Sequence, residues 1–130
     1  SHAAGIPVLG AVAAGGLVTA FDDVQDRLDL APVLETRGLF ALTVNGDSMV
    51  NAHIADGDVV LMEPVPDPQR LRNGTVVSAL VAGSGTTLKH FHRQGGTVLL
   101  EAANPAYEPI ELPAEQVEVQ GRLVAVWRQV

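Results

Sequence analysis

The chain has 130 residues, 47% of them hydrophobic, and eight Lys and Arg against 15 Asp and Glu give a formal net charge of −7. That length fits one domain spanning 1–130, and the apolar content supplies a core, which excludes a disordered tail as the main content. The acidic balance argues against an extended phosphate-binding surface. The lack of Cys excludes disulfides, thiolate zinc sites and cysteine nucleophiles, and no run approaches the roughly 18 apolar residues of a membrane span.

Thirteen Gly and eight Pro punctuate short apolar runs, the mark of a β-rich chain. Residues 22–37 carry most of the early charge and read as a loop with weak helical character. Strands are predicted over 39–45, 59–62, 75–81, 87–92, 97–100 and 117–127. In the first, period-two alternation puts Phe40, Leu42 and Val44 on one face. Asp56-Gly57-Asp58, Asn73-Gly74, Gly83-Ser84-Gly85 and Gln94-Gly95-Gly96 supply the turns. Strands 75–81 and 87–92 read as one hairpin, and 87–92 with 97–100 as another. Residues 48–54 allow a single helical turn starting at Asp47 or Ser48, both good N-cap residues. The expected fold is mostly β: compact, antiparallel, with strongly bent sheets and one short helical turn.

Three features bear on chemistry. Val12-Ala13-Ala14-Gly15-Gly16 is a small-residue segment between Leu9 and Leu17. It reads either as a turn-forming N-terminal arm or as a scissile peptide whose small side chains leave the Ala14 carbonyl open to a nucleophile. Ser48, in Asn45-Gly46-Asp47-Ser48-Met49, follows a strand and opens a helical turn. It is either an N-cap serine or an exposed nucleophile beside backbone N–H groups able to hold an oxyanion. Lys89 is the only lysine, placed mid-strand between Leu88 and Phe91, with Phe91 on its own face if alternation holds. It is either a snorkelling surface lysine or a desolvated amine, neutral enough to take a proton from a serine hydroxyl. His53 is near Ser48 in sequence, but a helical offset of five residues points it away. His90 and His92 share a face with no third ligand at a suitable spacing, so neither a metal nor a cofactor is expected. A carboxylate at Asp47, if it faced Lys89, would raise the lysine pKa; it is expected to face solvent.

Taken together and in this order, these features resemble the C-terminal domain of LexA-type SOS repressors, self-cleaving serine peptidases that share a fold with UmuD-like proteins and phage repressors. The resemblance runs from about Ile6 to Trp127. It rests on Gly-x-Val-Ala-Ala-Gly at Gly10–Gly15, Gly-x-Ser-Met at Gly46–Met49, Asp-Gly-Asp at Asp56–Asp58, Arg-Asn-Gly at Arg72–Gly74 and Thr-x-Lys at Thr87–Lys89. The stretches Arg93–Gly95 and Ala103–Ile110 also fit the family's pattern.

The resemblance implies Ser48 as nucleophile, Lys89 as general base, Ala14–Gly15 as the scissile bond, and the Ser48 and Met49 backbone as oxyanion donors. It implies a homodimer formed through this domain and a cytoplasmic repressor of the DNA-damage response. Operator DNA would be bound only by a preceding winged helix-turn-helix domain, which these 130 residues do not contain. Cleavage would be stimulated by the RecA filament on single-stranded DNA, which supplies no catalytic group but favours the cleavable state. The alternative is a UmuD-like accessory subunit of a translesion polymerase, a group whose cleavage sites typically carry Cys-Gly rather than Ala-Gly. A signal peptidase also pairs Ser with Lys but requires a membrane anchor.

Overall fold

In the computed structural model, residues 5–16, 26–36 and 38–130 are described, and the chain falls into two units, Ser1–Arg37 and Gly38–Val130. Within the first, β1 (Ile6–Val8) pairs antiparallel with β2 (Asp26–Leu28), Ile6 opposite Leu28. Helix α1 (Ala31–Thr36) follows. Asp29 accepts a hydrogen bond from the Ala31 N–H at 3.3 Å, satisfying a donor at the helix start that has no intrahelical partner. Pro32 falls in the first turn, where its missing N–H costs nothing. The helical character expected within 22–37 is present. The strand β2 in the same stretch is a correction, because three residues are too few to show alternation. Residues 22–25 and 37 lie outside the described residues, as do Leu17 and Val18.

The second unit is one seven-stranded sheet, antiparallel at every pairing. Its strands are β3 (Phe40–Thr43), β4 (Val59–Pro64), β5 (Thr75–Val81), β6 (Gly85–Gln94), β7 (Thr97–Glu101), β8 (Ile110–Pro113) and β9 (Val117–Trp127). Their order across the sheet is β3-β4-β9-β5-β6-β7-β8. Both expected hairpins form, with Val81 opposite Gly85 and Gln94 opposite Thr97. The predicted bounds 75–81 and 117–127 coincide with β5 and β9. The strand expected at 39–45 is shorter, and the expected turn at 48–54 is a 3-10 turn over Val50–Ala52. β8 was not anticipated: Pro109 precedes it and Pro113 ends it, which discourages a strand reading, yet at a sheet edge a missing N–H is tolerated.

The long strand β9 joins two halves. Its residues 121–127 pair with β4 and its residues 117–122 with β5. Register shifts opposite Leu61/Met62 and opposite Ser78/Ala79 leave Val124 and Gln120 as extra residues in β9, and such bulges bend and twist a strand locally. At the crossing sits Gly121, opposite both Pro64 and Ser78. A Cβ there would meet the Phe40 ring at 2.8 Å and the Glu63 carbonyl oxygen at 3.0 Å, so only glycine lets these elements close. Each half has its own core. Val77, Ala79, Phe91, Val98 and Leu100 fill one; Met49, Ile54, Val60 and Met62 fill the other, with Phe40, Leu42 and Val44 packed against it as their alternation predicted.

Candidate active site

Ser48 is delivered by the turn between β3 and the 3-10 turn. Gly46 adopts φ +94, a left-handed backbone conformation that glycine reaches without strain, and this reverses the chain after β3. The Asp56–Asp58 turn grips the reversal from the outside. Asp56 Oδ1 accepts from the Gly46 N–H at 2.6 Å, Gly57 N–H donates to the Val44 carbonyl at 2.8 Å, and the Asp58 carbonyl accepts from Val44 N–H at 2.8 Å. Met49, only 1% exposed, anchors the far side of the turn in the core. Ser48 is thereby left half-buried at the rim, between a rigid turn and a packed side chain.

Lys89 comes from β6, with Val77 of β5 opposite it. It is 8% exposed and lies on the same strand face as buried Phe91, as alternation predicted. Its Nζ donates to Ser48 Oγ at 3.1 Å, to Thr87 Oγ1 at 2.7 Å and to the Leu88 carbonyl at 3.1 Å. Burial pushes the ammonium below the ordinary lysine value, because the charged form loses water that three neutral oxygens only partly replace. The two residues singled out 41 positions apart in sequence are therefore in hydrogen-bond contact. Together they line a cleft of about 430 Å³ with Asp47, Met49, Thr87 and Tyr107.

Asp47 is exposed, as expected, and it is also held. Tyr107 donates its hydroxyl to Asp47 Oδ1 at 2.5 Å, and Asn104 Nδ2 donates to the Asp47 carbonyl at 2.9 Å. Asn51 N–H donates to the Ala103 carbonyl at 2.8 Å, so residues 103–107 brace the serine turn at three points. Sequence reasoning gave no role to Thr87, Asn104 or Tyr107, although all three fall in motifs it had picked out. His53 is exposed, with a left-handed φ of 63, and donates its backbone N–H to the Val50 carbonyl. His90 Nδ1 lies 3.0 Å from the Gly74 carbonyl oxygen. No group of three or more His, Asp or Glu gathers among the described residues. In the first unit, Ala14 and Gly15 form a turn after β1.

A serine hydroxyl in contact with a desolvated amine is equipped for acyl transfer. The Peptidase S24-like family profile matches residues 7–124 of this chain. The chain belongs to the Peptidase S24-like family. This S24-like domain is 41% identical over 126 residues to the LexA repressor of Koribacter versatilis, an alignment covering 97% of this chain and 58% of that protein. It is 43% identical over 125 residues to the LexA repressor of Gluconobacter oxydans, covering 95% and 51%. To the LexA repressor of Paramagnetospirillum magneticum it is 42% identical over 125 residues, covering 95% and 52%. The S24-like chain thus spans between half and two thirds of the length of these curated relatives. It is a LexA-type domain of mostly antiparallel β structure, and among its described residues no helix is long and apolar enough to cross a membrane.

Proposed function

We propose that this domain cuts its own chain at the Ala14–Gly15 bond and so inactivates a cytoplasmic transcriptional repressor of the DNA-damage response. The observation that carries the reading is the 3.1 Å contact between Lys89 Nζ and Ser48 Oγ, made by an amine that burial pushes below the ordinary lysine value. Neutral Lys89 takes the Ser48 proton as Ser48 Oγ attacks the Ala14 carbonyl carbon. The backbone N–H groups of Ser48 and Met49 receive the oxyanion. The carbon–nitrogen bond to Gly15 breaks, the lysine ammonium returns its proton to the leaving amine, and water then hydrolyses the acyl-enzyme.

Tethering supplies a high effective concentration of substrate, so control rests on docking of the segment around Ala14–Gly15 and on the charge of Lys89. In this reading a homodimer forms through this domain, and a preceding winged helix-turn-helix domain binds the operator. The RecA filament on single-stranded DNA favours the docked state by population shift. The relatives described above are named repressors, which weighs for a repressor over a polymerase subunit.

The test is incubation of the purified chain across neutral to alkaline pH, with fragment masses read by mass spectrometry. The rate should rise with pH as Lys89 loses its proton, and its first-order constant should not change with protein concentration. Ser48→Ala and Lys89→Ala should each lower it by about 10⁴-fold or more with the fold retained. A flat pH profile, or cleavage surviving in either variant, would overturn the reading.

A further inference from the structure

A carboxylate directly before the nucleophile is a hazard to a lysine base. Were it to turn toward the amine, it would stabilise the ammonium and silence the pair at neutral pH. The cleft holds three titratable side chains: Asp47, Lys89 and Tyr107. All three oxygens bonded to Lys89 Nζ are uncharged, and Asp47 spends its Oδ1 on the Tyr107 hydroxyl. We propose that Tyr107 is a positioning residue, whose hydroxyl holds the Asp47 carboxylate away from Lys89 and thereby keeps the amine dischargeable.

The tyrosine is itself placed by a small built turn. Its N–H donates to the Asn104 carbonyl at 3.1 Å, Asn104 Oδ1 accepts from the Ala106 N–H at 3.0 Å, and Asn104 Nδ2 pins the Asp47 backbone. One turn therefore fixes both the main chain and the carboxylate of the residue preceding Ser48. The other charges near the pair are already engaged. Asp56 holds the Gly46 N–H, and Arg122, next along the cross-strand row from Lys89 through Val77, is paired with Glu63 at 2.6 Å. Asp47 also raises the Tyr107 phenol above its ordinary value while burial lowers Lys89, so the two groups shift in opposite directions.

The inference rests on the Ser48–Lys89 reading, and the experiment separates the two. Because Lys89 is the sole lysine, a chain carrying ¹³C at lysine Cε gives one side-chain resonance whose pH titration reports this amine directly. It is titrated in a Ser48→Ala background, where no cleavage intervenes, and the cleavage profile is recorded in parallel with Ser48 present. Tyr107→Phe should move the Lys89 midpoint up by about half a pH unit or more, a value tempered by the exposure of Asp47. Cleavage near neutral pH should fall by about threefold or more, following the same shift. Adding Asp47→Asn should restore both. An unmoved midpoint in Tyr107→Phe, a uniform slowing at every pH, or a failure of Asp47→Asn to restore the midpoint overturns the proposal. Cleavage that survives Ser48→Ala overturns the underlying reading instead, whatever the titration shows.

Discussion

An ammonium carries three N–H bonds, and Lys89 Nζ has three oxygens to receive them. The Leu88 carbonyl can only accept, whereas the Ser48 and Thr87 hydroxyls can do either. In the proposed mechanism, once a proton leaves, Leu88 and Thr87 take the remaining two N–H bonds and the lone pair faces Ser48, whose hydroxyl becomes the donor. On that mechanism Thr87 aims the base. Thr87→Val should slow cleavage by about tenfold across the pH range while Thr87→Ser keeps most of it, read from single-turnover fragment formation. In the sequence, Ser48 and Lys89 stood out as a serine just beyond a strand and a lone lysine among apolar neighbours. Thr87 did not, because a hydroxyl two residues away is ordinary strand content. Asn104 and Tyr107 act on Asp47 across 57 and 60 residues, and no local spacing ties them to it.

Between the strands of the seven-stranded sheet, the closest glycine approach among the described residues is the crossing at Gly121. Phe40 reaches it from the edge strand β3, and the Glu63 carbonyl approaches from β4, at 2.8 and 3.0 Å from where a side chain would begin. Gly121→Ala should cost about 1–3 kcal/mol, measured as a lowered urea midpoint, since one of the neighbours there is backbone and cannot swing aside. Nothing in the sequence around 117–127 marked this glycine, because a close approach depends on residues far along the chain. The strands that alternation and turn chemistry did reveal, β5, β6 and β7, are joined by tight hairpins whose glycines are local signals. The strands that escaped notice, β1, β2 and β8, are three or four residues long and owe their pairing to partners rather than to pattern.

For the molecule as a whole, the ion pair between Asp58 and Arg128 ties the residue just past β9 to the turn that shapes the serine loop. Arg128 donates to both carboxylate oxygens, at 2.7 and 2.6 Å, and the Ala55 N–H adds a third bond at 2.8 Å. The guanidinium contact, with help from that N–H, lowers the Asp58 pKa from 3.8 to about 2. A carboxyl depressed on folding contributes stability that is complete above its unfolded value and fades as acid protonates the native form. Urea midpoints should therefore fall as pH drops from about 3.8 toward about 2. In Asp58→Asn the midpoint should start lower at neutral pH and lose this part of the acid dependence.

The two halves of the sheet are joined by β9, which lies between β4 and β5, and of the seven strands in that sheet it is the last to be synthesised. Ser48 and Lys89 belong to opposite sides of that seam. Without β9 the strand pair β3–β4 and the strands β5–β8 share no strand pairing. On the proposed function, the last strand of the sheet is thus the one that brings serine and lysine within reach of each other.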